Sequence, residues 1–233
     1  MAEPVVGIVG GLGPESTIRL MQAVFDATPA EREQDHVHLI VDSNPKTPDR
    51  SQALLGEGES PAPILCESVR RLTGAGADLI AVACNTAHAF HREMQAATAV
   101  PVLHMIELCA RRAGERWTGG EPLGLLATTG TVRSGLYQDA LRREGLTAAL
   151  PEPAEQAELM DAIFGAGGIK LGRVDENAPR VAALGRALMD RGAVAVIAGC
   201  TEVGLALAEP GYPVIDPLRL LAEEIVRRAK GGR

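Results

Sequence analysis

"RLTGAGADLIAVACNT" (71–86) and "ALMDRGAVAVIAGCTE" (187–202) are two versions of one pattern. Leu72 falls on Leu188, Gly76 on Gly192, Ala77 on Ala193 and Cys84 on Cys200, each pair at the same separation. The second copy opens as a helix that ends at Gly192, a glycine suited to the position just past a helix C-terminus, and Gly76 aligns with it. Both copies continue as an apolar run without alternation, the mark of a strand buried on two faces. Both end in a cysteine and a polar turn. Upstream, "VGIVGGLG" (6–13) faces "LGLLATTG" (123–130), with Gly7 over Gly124 and Gly13 over Gly130. Downstream, "VPVLHM" (100–105) faces "YPVIDP" (212–217), with Pro101 over Pro213. Three strand–turn units repeated in one order imply two similar halves.

"HVHLIVD" (36–42) and a weaker "TAALP" (147–151) add a strand to each half. Strands alternating with helical patterns mean parallel sheets. The expected fold is α/β, with two pseudo-symmetric domains, each a parallel four-stranded sheet flanked by helices, and the active site in the cleft between them. In the first helix Pro14 suits the first position, and Ile18, Met21 and Val24 with Phe25 form an apolar stripe. "LLGEGESPAP" (54–63) has the composition of a loop or lid.

The chain has 233 residues, 46% hydrophobic and 23% charged, enough to bury a real core. A formal charge of -7 and 3% aromatics argue against a nucleic-acid partner, which needs basic patches and stacking platforms. Apolar runs fall far short of the roughly 20 residues of a membrane helix. No secretory leader is evident, so a cytoplasmic protein without membrane contact is expected. The four cysteines, Cys66, Cys84, Cys109 and Cys200, form no CxxC pair and are expected as free thiols.

In parallel α/β sheets ligands bind beyond the carboxyl ends of strands, where Cys84 and Cys200 both fall. Cys66 and Cys109 have no counterparts and read as buried helix residues. An unperturbed thiol is only ~3% ionised at pH 7, and a helix N-terminus raises that fraction. Two thiols at equivalent strand ends suit a reaction in which one removes a proton and the other delivers one. Rival readings exist for each feature. Cys84 and His88 have metal-ligand spacing, but no histidine follows Cys200. His88 is a candidate for tuning the Cys84 thiol. "GLGPES" (11–16) lacks the third glycine of a dinucleotide loop, and Pro14 offers no amide. Glu202 reads as a carboxylate favoured at a helix start.

"VGIVGGLGPEST", "PDR" (48–50), "ACNTAH", "LLATTGTVRSGLYQ" and "AGCTEVGL" together resemble the aspartate/glutamate racemase superfamily along nearly the whole chain. The resemblance implies a cofactor-independent racemase, needing no PLP and no metal, with Cys84 and Cys200 as the two catalytic bases. It implies that Arg50 and Lys170 hold substrate carboxylates, and that Gly11, Asn85, Thr86, Thr128, Thr129 and Thr201 surround the α-carboxylate and amino group. Cell-wall glutamate racemases carry an Asp-Ser-Gly segment and a histidine where this chain has Gly10-Gly11 and Glu202. The likeness is therefore to the aspartate racemase or broad-specificity branch, acting on a small amino acid, with Cys84 facing the D-enantiomer and Cys200 the L. Family precedent also implies a homodimer and a discontinuous first domain, 1–106 plus 214–233 around 107–213. Maleate isomerase, hydantoin racemase and a non-catalytic amino-acid-binding protein are the alternatives on this fold.

Overall fold

The computed structural model describes residues 3–231, and the chain divides into two compact units. The first gathers everything up to Met105 and from Leu218 on; the second is Ile106–Pro217.

In the first unit β1 (Val6–Gly10), α1 (Pro14–Ala27), β2 (Leu39–Ser43), α2 (Arg50–Leu55), α3 (Ala62–Gly74), β3 (Leu79–Val82) and α4 (His91–Ala96) follow in order. The chain then enters α5 (Met105–Arg116), β4 (Pro122–Leu126), α6 (Thr129–Arg133), α7 (Leu136–Arg143), β5 (Thr147–Ala149), α8 (Pro153–Phe164), α9 (Val174–Asp190), β6 (Val196–Ala198), α10 (Thr201–Ala206) and β7 (Val214–Ile215). It closes with α11 (Pro217–Ala229), which returns to the first unit.

The sheet of the first unit runs β2-β1-β3, all parallel; that of the second runs β5-β4-β6-β7, also parallel. The fourth strand expected at 100–105 shrinks to a single bridge, Ile80 to Val102. Its backbone donors are committed elsewhere: Val100 N–H bonds to Thr98 Oγ1, Val102 N–H bonds to Gln95 Oε1, and Pro101 has none to give. Only Leu103 N–H reaches Ile80 O, at 2.8 Å. The strand expected to return to the first domain is likewise corrected. Val214–Ile215 pairs with β6 in the second sheet, so the return begins at Leu218 rather than 214.

Alternation along β1 and β3 divides the first core in two. Val6, Ile8, Leu79 and Ala81 meet Leu20 and Val24 of α1 and Leu221 and Ile225 of α11. Val9, Ile80 and Val82 meet Leu65, Val69 and Leu72 of α3 and Met94 of α4. The apolar stripe expected on α1 is only partly the buried one. Leu20 and Val24 face the core, while Ile18, Met21 and Phe25 are exposed.

The repeated residues have one structural job in both units. Gly76 and Gly192 take φ of +95° and +99° after α3 and α9. Ala77 N–H then bonds back to Leu72 O and Ala193 N–H to Leu188 O, both at 3.1 Å, which closes the helix end around glycine. The same leucines press on the first strand of each sheet. A Cβ on Gly7 would lie 3.1 Å from Leu72 Cβ, and one on Gly124 3.1 Å from Leu188 Cβ. Glycine in the strand is therefore what lets each helix sit this close. No helix among the described residues is long and apolar enough to cross a membrane.

Candidate active site

The carboxyl edge of the first sheet is built from three loops. Gly11 adopts φ +81°, and a Cβ there would fall 2.4 Å from the backbone of Asn44. Only glycine lets the loop after β1 lie against the loop after β2. Gly11 N–H donates to Thr17 Oγ1 at 2.8 Å, and Asn44 N–H to Gly10 O at 3.2 Å. The Leu12 carbonyl is turned toward Arg50, whose Nη2 donates to it, while Nη1 donates to Pro48 O at 3.2 Å. The remaining nitrogen of that guanidinium, Nε, is buried with no acceptor. Asp49 caps α2 by accepting Gln52 N–H at 2.8 Å, and α2 packs on the 3₁₀ turn Thr86–Phe90 that follows Cys84. Gly11, Arg50, Cys84, Asn85 and Thr86 thus gather at one sheet edge.

Cys84 is buried two residues past β3, among Val9, Leu12, Leu65 and Ala87. His88 does not serve its thiol. Nδ1 lies 2.8 Å from the Cys84 carbonyl, and Nε2 accepts the Met105 amide at 3.1 Å. An amide can only donate, so Nε2 is bare and the ring proton sits on Nδ1, donated to Cys84 O. Burial, with His104 and then His91 adding repulsion, pulls the His88 pKa down to about 3. The expectation that His88 tunes the sulfur gives way to a neutral imidazole that ties the Cys84 backbone to the start of α5.

In the second unit Cys200 lies just past β6 and precedes α10 as its N-cap, with extended backbone. Its thiol donates to Glu202 Oε2 at 3.0 Å, and Thr201 Oγ1 donates to the same oxygen at 2.9 Å. The other oxygen, Oε1, receives Lys170 Nζ at 2.6 Å. Glu202 is nearly fully buried, so one carboxylate inside the protein binds a thiol, a hydroxyl and an ammonium. Burial opposes its ionisation most strongly. Lys170 and the hydrogen bonds from Cys200, Lys170 and Thr201 outweigh this and hold the carboxyl below its ordinary value. Burial and then the Glu202 charge push the Cys200 thiol well above the usual thiol range. Cys200 therefore rests as a thiol. Lys170, expected to face a substrate carboxylate, is held by Glu202, with its ammonium also 5.4 Å from the centre of the Phe164 ring.

At the end of β4, Thr128 caps α6 by accepting Thr131 N–H and sharing a 3.0 Å contact with Thr131 Oγ1. Thr129 N–H points at Met160 Sδ, and Thr129 Oγ1 accepts from Gln156 Nε2 at 3.3 Å. Gln156 Nε2 also donates to Ala127 O at 3.0 Å, which leaves its Oε1 buried with no partner. Cys109 is fully buried in α5 and its pKa is raised by burial, consistent with a packing role. Cys66 lies part-buried in α3, its pKa also raised by burial. No three His, Cys, Asp or Glu side chains among the described residues converge to hold a metal ion.

Glu202 and Gln156 are the polar groups that sequence reasoning did not assign to the site. The triplet Cys-Thr-Glu places a carboxylate two residues past the thiol at a helix start, which is a local signal. Gln156 is separated from Thr129 by a strand and most of two helices, and nothing local announces it.

The Asp/Glu/Hydantoin racemase family model matches residues 9–225, and the chain belongs to that family. It is 28% identical over 232 residues to the broad-specificity amino-acid racemase RacX of Bacillus subtilis (strain 168), covering 95% of this chain and 96% of that protein. The structure of an aspartate racemase from Picrophilus torridus matches 97% of this chain and 94% of its own, with TM-score 0.87 and 29% identity. An aspartate racemase homologue from Pyrococcus horikoshii OT3 matches 97% of this chain and 99% of its own, with TM-score 0.75 and 26% identity. The glutamate racemase isoform RacE1 from Bacillus anthracis shares the fold at TM-score 0.67 and 21% identity, over 99% of this chain and 83% of its own.

Proposed function

We infer that this protein is a cofactor-independent amino-acid racemase that inverts Cα of an acidic amino acid, aspartate or glutamate, with Cys84 and Cys200 as its two bases. The observation that carries this reading is the equivalence of the two thiols. Each follows the third strand of its half, just beyond a carboxyl end, and each is followed by a polar turn. The name of the aspartate racemase from Picrophilus torridus supports an acidic substrate, and that of RacX an amino-acid substrate more broadly.

In one direction Cys84, as thiolate, removes the Cα proton from one face. The electron pair left behind is delocalised into the α-carboxylate, and Cys200 delivers its S–H proton to the opposite face. The reaction ends with Cys84 protonated and Cys200 ionised, and proton exchange with solvent restores the start. The resting arrangement suits this order, because Cys200 is held as a thiol. In the reverse direction the Cys200 proton must leave first, and Glu202 Oε2, at 3.0 Å, is the acceptor already in line. With Cys84 serving the D-enantiomer, this order of steps converts D to L.

Arg50 supplies a guanidinium fixed in direction by two carbonyls, suited to a substrate carboxylate. Lys170 supplies the second cation, exchanging Glu202 for substrate. Asn85, Thr86, Thr128, Thr129, Thr201 and the Gly11 backbone complete the polar surround in this reading. A cytoplasmic setting, where free thiols stay reduced, fits it.

Incubation with L-aspartate or L-glutamate in D2O, followed by chiral analysis and α-deuterium content, tests the reading. Inversion with one deuterium per turnover is expected, and Cys84→Ala and Cys200→Ala should each lose it by at least ~10²-fold. Full inversion in either variant, or no exchange with any amino acid, sinks it.

A further inference from the structure

We propose that Gln156 receives the α-ammonium group of the substrate on its side-chain carbonyl, and that the same side chain aims the Thr129 hydroxyl at the substrate's α-carboxylate. The proposal rests on the reading that the carboxyl edge of the second sheet binds an amino acid. Gln156 lies on α8, and its amide nitrogen reaches the loop after β4, donating to Ala127 O at 3.0 Å and to Thr129 Oγ1 at 3.3 Å. A carbonyl can only accept, so the group facing Ala127 is the NH2 and the amide has one orientation. Both hydrogens of that nitrogen are thereby used. The other atom of the amide, Oε1, is buried, and no donor of the described residues reaches it.

The neighbouring donors are committed. Thr129 N–H points at Met160 Sδ at 3.3 Å, one turn along the same face of α8, and Thr131 N–H goes to Thr128 Oγ1. Thr129 Oγ1 accepts from Gln156, so its own hydrogen is directed away from that amide. A bare carbonyl oxygen and a hydroxyl with a hydrogen to give thus stand side by side. Buried carbonyls are nearly always matched by a donor, so this one marks a place where a ligand supplies it. The pair is complementary to an ammonium and a carboxylate carried on one carbon, the common part of every α-amino acid.

The same segment stands beside the sulfur. β4 and β6 are neighbours in the sheet, with Leu126 in register with Ala198. Gly199, immediately before Cys200, lies so close to Ala127 that a Cβ on it would be 2.8 Å from the alanine Cβ. Gln156 is therefore fastened, through Ala127, to the strand end that carries Cys200. An ammonium held on Oε1 fixes Cα relative to that thiol. A dicarboxylate without the amino group gains nothing from Oε1, so Gln156 selects for the amino acid.

Calorimetric titration of the full chain with aspartate and succinate, and with glutamate and glutarate, tests this, since each pair differs only in the amino group. Gln156→Met removes the acceptor. The affinity for the amino acid relative to its analogue should then fall by on the order of 10-fold or more, the scale of one hydrogen bond to a charged group. Gln156→Glu keeps an acceptor and sets a negative charge beside the ammonium, so the same ratio should rise. A residue that only supported the fold would move both ligands of a pair together. Thr129→Val should do that, because the α-carboxylate is common to both. Thermal melts confirm that each variant is folded. Titration reads binding whether or not the ligand turns over. An amino acid bound through Gln156 but never inverted sinks the racemase reading alone, and inversion with an unchanged ratio in Gln156→Met sinks this proposal alone. A ratio that falls in Gln156→Glu, or a wild type that binds neither amino acid, also overturns it.

Discussion

Lys170 Nζ and Glu202 Oε1 are 2.6 Å apart, and the Cys200 thiol occupies the other oxygen of the same buried carboxylate. The ion pair therefore governs both stability and the protonation of a candidate catalytic sulfur. Replacing Lys170 with Met leaves Glu202 buried and uncompensated, a loss of about 3–5 kcal/mol for such pairs. Lys170→Arg should retain most of it. The Glu202 carboxyl is lowered from 4.5, so its contribution is complete above that value and fades as pH falls through the lower folded value. Urea titrations at pH 7 and pH 4 should show the wild type losing stability on acidification and Lys170→Met losing less.

Glu202→Gln keeps the shape and removes the charge. With the neighbouring anion gone, Cys200 ionises more readily, and its alkylation by a small electrophile should shift to lower pH. Turnover should move the opposite way, by on the order of 10²-fold, because the acceptor of the Cys200 proton is lost. Mass-spectrometric alkylation rates beside racemisation rates measure both. A faster thiol with undiminished turnover would show that Glu202 plays no part in proton transfer.

His88 makes the fold sensitive to acid in its own way. Its folded pKa of about 3 lies below the ordinary 6.5, so the unfolded chain binds the extra proton between these values. Stability should fall by up to about 1.4 kcal/mol per pH unit as pH drops below 6.5, from this residue alone. Thermal melts from pH 7.5 to 5 should slope less steeply in His88→Gln, even though that variant starts lower for losing a hydrogen bond to Cys84 or Met105.

Gly11→Ala combines a left-handed backbone with a Cβ driven into Asn44. A cost of about 1–3 kcal/mol is expected from the backbone conformation before the clash is counted. Because Leu12 O anchors Arg50, KM should rise together with the loss of melting temperature. Gly56→Ala, with similar φ but open space around it, should cost stability alone.

Much of this was legible in the sequence because the chain repeats itself. The pairs Gly7 with Leu72 and Gly124 with Leu188 are packing contacts, and a contact that recurs in both halves leaves a double trace. The strand expected at 100–105 shrinks to one bridge, since its pattern is apolar but its amides are diverted to Gln95 and Thr98. On α1, Ile18, Met21, Val24 and Phe25 all sit within one broad arc at helical spacing, and periodicity alone does not say which edge of that arc meets the sheet. The cysteines stood out as a pair. The ion pair between Lys170 and Glu202 did not, because it joins a short 3₁₀ turn to a helix start across the whole of α9.

The return of α11 to the first sheet has a consequence for how the chain is made. Residues of the second unit are contiguous and can close while synthesis continues. The first sheet cannot, because Leu221 and Ile225 complete the core around Val6 and Ile8 and are translated only after the whole second unit. At ~5–20 residues per second, the α1 side of that core waits many seconds for its cover. The half that begins first is therefore finished last, and a ribosome stalled before Leu218 would display an open apolar face on an otherwise folded nascent protein.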